Sequence, residues 1–591
     1  MADLVKLTIN GKEVEVPSSY TVMDAAYKLG IDIPRLCFLK GINETSACRV
    51  CVVEIQQGPR TMIKNSCTVK VADGMVVRTN TERVHRAVKL NLQLLAANHK
   101  FECWRCPREH NCEFLALLRK YDIDNVMGES KWFSKKAPIT NFSDAFVLDS
   151  SKCILCGRCI SACQKLAGTG VLDFNRRGFV TFVSSALNHE IEDSGCIYCG
   201  KCIQACPVGA LREKDDLDKV EELLESDNYT VVQMAPAVRA ALGEEFGYPM
   251  GTNVEAQMYE ALEKLGFDDV TDVNFGADVT IMEEGTEFLE RLGKFLKGEE
   301  VVLPMFTSCS PGWIRYIETY YPEFLPNLST TKSPQQIQGA LTKHYYADKI
   351  GVDKKNIKVV SVMPCIAKKF EAKRPEMEYD GIRDVDVVIT TRELARLIKR
   401  HDIKFTELKG TTPNSPIAKY TGAGVIFGAT GGVMEAALRT VYAKLEGKEL
   451  SDPDILDVRG VDNGIKEATI KVKGLDVNIA VVHGAVNIPE MMRRIKEGKK
   501  QYHFVEFMAC TGGCVNGGGQ PIVNAKVQDE TDVRIERAKA LYSLDKANKI
   551  RVSHENPVVK EVYKEFLETP CGHKSHHLLH TSYTKREEYS K

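Results

Sequence analysis

The sequence predicts a multidomain protein of mixed α/β and α+β class, with three small cysteine-bearing segments followed by one large α/β domain. Three observations lead there. The chain has 591 residues, too many for one hydrophobic core. Nineteen of its 20 cysteines fall into five ordered groups, four of them before residue 210. Beyond about residue 215 cysteines become sparse, and short apolar runs alternate with amphipathic helical patterns, which argues a largely parallel sheet.

Composition excludes several classes of function. The 79 basic side chains balance 80 acidic ones, so nothing electrostatic favours nucleic acid or an anionic membrane. No run of eighteen apolar residues occurs, so no membrane span is expected. The start, MADLVKLTINGKEVEV, has neither a basic leader nor an apolar core. Disulfides suit small secreted domains, so these thiols are expected to ligate metal clusters in a reducing cytoplasm.

Residues 1–80 form the first expected domain. Val5 to Val16 alternates apolar and polar residues around Asn10-Gly11, the signal of a type I′ hairpin. Thr21 and Asp24 are spaced as a capping box before Val22, Ala25, Ala26 and Leu29. Cys37, Cys48, Cys51 and Cys67 follow, a close C-x2-C pair with one ligand on either side. This arrangement resembles a plant-type 2Fe-2S ferredoxin, a β-grasp fold, although its first two cysteines stand further apart than in that type.

Residues 81–140 read as a small helical domain holding His99, Cys103, Cys106 and Cys112. One His and three Cys is a standard zinc set; the neighbouring cluster segments favour a 4Fe-4S cluster instead. Residues 141–214 carry C-x2-C-x2-C-x3-C twice, at Cys153, Cys156, Cys159 and Cys163 and again at Cys196, Cys199, Cys202 and Cys206. That spacing wraps cubane clusters, as in a bacterial two-4Fe-4S ferredoxin, where the fourth cysteine of each run serves the other cluster. Cys206 is therefore expected with Cys153, Cys156 and Cys159, and Cys163 with Cys196, Cys199 and Cys202. Only the second run ends in proline; the first has Gln164 there, and a long insertion separates the two.

Residues 215–591 make the large domain. Its strand candidates are Val231–Pro236, Val301–Thr307, Val359–Met363, Val385–Thr390, Ile479–Val482 and Phe504–Met508. The helical pattern Arg392–Lys399 follows a capping box of Thr390 and Glu393. Glycine clusters at 422–432 and 512–519 mark tight turns or a close backbone approach to a ligand. Neither matches a phosphate loop, so no nucleotide site is expected. Three apolar strands end at cysteine: PMFTSCSPGW at Cys309, VSVMPCIAKKFEA at Cys365, and EFMACTGGCVNGGGQP at Cys510 and Cys514. Ligand sites of α/β sheets gather at the carboxyl ends of strands.

TSCSPGW, MPCIAKKFE and EFMACTGGCVNGGG closely resemble the three signature motifs of the iron–iron (FeFe) hydrogenases, and the accessory segments resemble the long clostridial form of that family. The amino-terminal part also resembles the electron-entry subunit of complex I. The family resemblance implies reversible 2H⁺ + 2e⁻ ⇌ H₂ at an H-cluster, a 4Fe-4S cubane joined to a diiron unit that carries CO, cyanide and an azadithiolate. It implies one 2Fe-2S and three accessory 4Fe-4S clusters. Cys365, Cys510 and Cys514 are then cubane ligands, Cys514 being the bridge, and Cys309 passes protons. A thiol suits that task because its pKa, about 8.5, lies nearer neutrality than that of a hydroxyl.

The chain departs from the family at Ser310, where the usual motif has the fourth cubane cysteine. Either Ser310 ligates, or Cys309 takes that place and the proton route changes. The resemblance further implies a proton path through Glu284, Ser329, Glu287 and Arg291, and a cyanide contact from Lys368. It implies pocket roles for Pro236, Gln335, Met363 and Met508. Ala237 stands where the family often has serine. Cys571, in TPCGHKSHHLLH, lies outside every ligand position and is expected to have a surface or packing role. Expected partners are ferredoxin or flavin- and NAD(P)-binding subunits. Two other readings are an electron-transfer subunit alone, which leaves the three motifs unexplained, and a noncatalytic sensor or assembly factor.

Overall fold

The computed structural model describes residues 3–123, 139–140, 143–472 and 474–589. Strands Leu4–Ile9 and Lys12–Pro17 pair antiparallel. Asn10 and Gly11 between them have φ of 50° and 81°, the left-handed pair a type I′ turn needs. They belong to a five-stranded mixed sheet completed by Met75–Arg78, Val52–Gln57 and Arg60–Asn65. Helix Val22–Lys28 lies against it, and both hydrogen bonds of the Thr21/Asp24 capping box form.

Helix Glu82–Ala96 buries Val84, Val88, Leu92 and Ala96, one face at i, i+4 spacing. Helix Glu113–Lys120 follows the His99 group. Positions 124–138, at the end of the expected 81–140 segment, lie outside the described residues. In the ferredoxin-like segment Phe146–Asp149 pairs antiparallel with Leu211–Glu213 and ties the two ends together. Each cysteine run feeds a helix, Arg158–Lys165 and Lys201–Ala205, that starts from a glycine at positive φ. The insertion between the runs is a small hairpin, Asp173–Asn175 with Phe182–Ser184.

The large domain holds two four-stranded sheets. One is wholly parallel, in the order Asp269–Asp272, Tyr229–Met234, Ile357–Met363, Val387–Thr390. The other has Met305–Phe306, Phe504–Met508 and Leu475–His483 in parallel, with Ile465–Val472 antiparallel at its edge. The run expected as a strand over Val301–Thr307 pairs only at Met305–Phe306; Pro304, just before, has no N–H to give a ladder. Residues Gly422–Ile426 form a short helix that includes the glycines 422 and 424. They serve close approach, since a Cβ on Gly424 would stand 2.5 Å from the Asn274 carbonyl oxygen. Helix Val273–Leu296 lies beside the second sheet, packing Phe288 and Leu292 with Met305 and Phe504. The carboxyl-terminal helices pack Val558, Val562, Leu578 and Leu579 against Phe275 and Val279 of that helix.

Candidate active site

The two sheets point their strand ends at one cavity. Cys365 follows Ile357–Met363 of the first sheet; Cys309 follows Met305–Phe306 and Cys510 follows Phe504–Met508 of the second. One cavity is lined by Cys309, Ser310, Cys365, Cys510 and Cys514, together with Pro236, Gln335, Met363, Lys368 and Met508. Every pocket position expected from the sequence therefore meets here. The turns permit it because they lack side chains. A Cβ on Gly513 would lie 2.6 Å from the Thr430 nitrogen, and one on Gly517 would lie 2.2 Å from the Pro364 oxygen. The Thr307 and Trp313 frame is rigid: Trp313 stacks on Phe507 at 4.0 Å, and its Nε1 donates to the Thr307 carbonyl over 3.0 Å.

The structure adds detail the sequence did not yield. Ser310 Oγ lines the cavity and accepts a long hydrogen bond of 3.4 Å from Ala509 N. Lys368 Nζ donates to Ser333 Oγ at 2.8 Å, to the Cys309 carbonyl at 3.2 Å and to Glu371 at 2.8 Å. Its three protons are thus engaged, and a contact to a bound ligand would displace one of them. Glu371, three residues on, was not foreseen; its i, i+3 spacing from Lys368 on one helix was the available signal.

The four path residues also come together. Arg291 donates to Glu287 at 2.7 Å, and Ser329 Oγ donates to the other Glu287 oxygen at 2.8 Å. Glu284 lies deeper, 1% exposed, with neither carboxylate oxygen in a hydrogen bond of normal geometry. Burial, and then the Glu287 and Glu506 carboxylates, push its pKa up to about 8. Burial and the nearby Glu284 hold the Cys309 thiol well above its usual range. Glu506 is a buried acid the sequence reading passed over, although it is the one charge in an apolar strand. Its oxygens accept 2.7 Å bonds from Gly431 N and Met434 N at a helix start, while burial pushes its pKa up to about 7.

The accessory cysteines form compact groups. Cys51 and Cys67 sulfurs are 3.2 Å apart, and Cys37 N donates to Cys48 Sγ over 3.4 Å. His99, Cys103, Cys106 and Cys112 line one pocket. His99 Nδ1 is 2.9 Å from the Lys152 carbonyl, which fixes the proton there and leaves Nε2 free to ligate. Burial pushes that imidazole down to about 4, keeping it neutral. Cys206 faces Cys156 and Cys159 of the first run, and Cys163 faces Cys196, Cys199 and Cys202 of the second, as the crossed pattern requires. Each run bends through matching left-handed residues: Leu155 and Gly157 in one, Tyr198 and Gly200 in the other.

The groups abut in a row. Asn43 Nδ2 bridges the Cys37 carbonyl at 2.7 Å and the Cys156 carbonyl at 3.1 Å. Gly209 sits against Cys106, where a Cβ would be 2.4 Å from Sγ, and Arg108 donates to the Cys206 carbonyl over 3.1 Å. Gly200 meets Gly518 with 2.7 Å between a built Cβ and Cα, and Cys199 lines the active-site cavity itself.

Comparison with known proteins agrees with this geometry. Family models match as iron only hydrogenase large subunit, C-terminal domain, over residues 228–518 and iron hydrogenase small subunit over 531–586. A 2Fe-2S iron-sulfur cluster binding domain matches over 2–82 and a 4Fe-4S dicluster domain over 150–210. Iron hydrogenase 1 of Clostridium pasteurianum is 44% identical over 98% of this chain and 100% of its own. The chain belongs to the FeFe hydrogenase family. The NADP-reducing hydrogenase subunit HndD of Solidesulfovibrio fructosivorans is also 44% identical, over 99% of both chains. The solved FeFe-hydrogenase HydA1 of Chlamydomonas reinhardtii superposes with TM-score 0.57 at 39% identity, covering 63% of this chain and 100% of that one. An FeFe hydrogenase interconverts protons, electrons and H₂, and this one is fed by iron–sulfur clusters in its amino-terminal domains. The reading as an electron-transfer subunit alone falls, because the catalytic domain is present entire. No helix among the described residues is long and apolar enough to cross a membrane.

Proposed function

We propose that Cys365, Cys510 and Cys514 hold the H-cluster cubane, that Cys514 bridges to its diiron unit, and that Ser310 stands at the fourth cubane position. The donor set suits the group: soft thiolates for iron, with Met363, Met508 and Pro236 as an apolar wall. When bound, the H-cluster supplies the iron site at which two protons and two electrons become H₂. The chain's own residues bring the protons. Arg291 orients Glu287 at the surface end, Ser329 bonds Glu287 and stands next to the buried Glu284, and Cys309, close to Glu284, is the last proton-holding group before the cavity. The observation that carries this reading is the gathering of four cysteines at one cavity, with the buried Glu284 close behind one of them, Cys309. Cys514→Ala tests it: H₂ turnover should vanish while the accessory clusters keep their spectra. Retained turnover near the wild-type rate refutes the assignment.

The same reading takes residues 1–80, 81–140, 141–214 and 215–591 as four domains, with one 2Fe-2S and three 4Fe-4S accessory clusters. Both outer groups, at Cys37 and at His99, abut the Cys156–Cys206 group, so two entry arms converge on one wire to the cavity. Iron analysis without the diiron unit should approach about 18 Fe per chain, two from one 2Fe-2S and four from each cubane. Stoichiometric zinc with less iron would make the His99 group a zinc site. The full-length likeness to an NADP-reducing hydrogenase subunit supports an assembly in which partner subunits exchange electrons between this chain and NAD(P). The purified chain should then evolve H₂ from reduced viologen and not from NAD(P)H until such partners are added.

A further inference from the structure

A second set of metal-ligating side chains stands where the tail crosses the long helix. The Glu283 carboxylate, the Cys571 thiol and the His580 ring each place a donor atom within 4.8 Å of the other two. The Glu283 and His580 side chains are 0% and 2% exposed, and Cys571 is half-buried. Cys571 has φ of 53°, in the left-handed region that residues with a Cβ seldom adopt. That conformation puts its Sγ 3.3 Å from the Glu283 carbonyl and its N–H 2.6 Å from Glu283 Oε2. His580 Nε2 is 3.1 Å from the same carboxylate oxygen, and its Nδ1 is 2.8 Å from Thr330 Oγ1.

The charges facing this point favour a cation. Glu283, Glu290 and Glu287 all bear on the Cys571 thiol. Lys444, which senses both Cys571 and Glu283, turns its Nζ to Thr286 Oγ1 at 3.3 Å. One thiolate, one imidazole and one carboxylate form a zinc-class donor set, and bond lengths of about 2.0–2.3 Å place such ligands about 3.2–3.8 Å apart.

We propose that Glu283, Cys571 and His580 bind a soft divalent cation, zinc in the first instance, with one water completing four-coordination. Binding releases the Cys571 thiol proton to solvent. His580 keeps its proton on Nδ1, given to Thr330 Oγ1, and turns the Nε2 lone pair to the metal. The site also touches the proton path, because Thr330 N donates to Glu287 Oε2 over 3.1 Å. A dication beside Glu287 favours its carboxylate and slows its protonation. That consequence rests on the proton path proposed above; the binding does not.

The test is a zinc titration of the untagged, anaerobically matured holoenzyme, with zinc K-edge absorption recorded at one equivalent. The expected spectrum has one sulfur at about 2.3 Å and nitrogen or oxygen neighbours at about 2.0–2.1 Å. Binding should be lost in Cys571→Ser and in His580→Gln. Three sulfurs would put the zinc in the His99 group, no sulfur would put it on the exposed tail histidines, and undiminished binding in Cys571→Ser would exclude that thiol. Each of these results overturns the proposal. Zinc should also slow H₂ evolution by at least about tenfold in the wild type and leave Cys571→Ser, whose metal-free rate should match that of the wild type, unaffected. The expected spectrum without inhibition upholds the site and overturns only its link to Glu287.

Discussion

Single residues set the chemistry. Glu284 is buried without a hydrogen-bond partner of normal geometry, so it stays an acid to a higher pH than a surface carboxylate. Glu284→Gln should keep the cavity and its cluster but slow turnover about 10²–10⁴-fold, the usual contribution of a positioned acid–base group. Normal turnover in that variant would remove Glu284 from the path. The same burial has a sign in stability. The folded value, about 8, exceeds the unfolded one, so the stabilisation tied to the protonated form is complete below about pH 4.3. It is lost as pH rises through about 8. Wild type should therefore fall in melting temperature relative to Glu284→Gln across that window, and parallel curves would contradict the buried-acid picture. The sequence showed Glu284 only through its motif, because a glutamate on a helix is ordinarily solvated. Glu506 and the Glu283–Cys571–His580 cluster were illegible for a related reason. Their partners lie up to 297 positions away, and only the fold joins them.

Elements set the distances between groups. The hairpin at Asn10-Gly11, both capping boxes and most buried strands were legible, because each depends on residues within one turn or one strand. That the strands divide into two sheets, with Cys365 on one and Cys309 and Cys510 on the other, was not legible. Apolar runs carry no record of which neighbour they pair with. Where elements touch, glycine decides the spacing. A Cβ on Gly518 would lie 2.5 Å from the Cys199 carbonyl oxygen and 2.7 Å from the Gly200 Cα, both rigid backbone. Gly518→Ala should cost about 1–3 kcal/mol in stability and lower H₂ evolution by pushing the ferredoxin-like segment from the cavity. Thermal unfolding and viologen-driven turnover report the two effects, and a variant unchanged in both would show that the contact is dispensable.

The whole molecule is a convergence of small cluster domains on one buried cavity. Its junction depends on Arg158, which is 1% exposed and pairs with both oxygens of Glu113 at 2.9 and 3.0 Å. Arg158 also donates to the Cys37 and Phe38 carbonyls, so one guanidinium ties three cysteine-bearing segments together. Arg158→Leu leaves Glu113 and the Phe38 carbonyl unpaired and should cost about 3–5 kcal/mol, read as earlier denaturant unfolding of the amino-terminal region. Unaltered unfolding would mean that the domains dock by apolar contact alone. The central claim is that this cavity holds the H-cluster and receives protons through Cys309 rather than using Cys309 as an iron ligand. The most direct test is the infrared spectrum of anaerobically matured Cys309→Ala, recorded on the same sample as its turnover. We predict intact bands of iron-bound CO and cyanide with turnover lowered about 10²–10⁴-fold; loss of those bands, or full activity, would contradict the account.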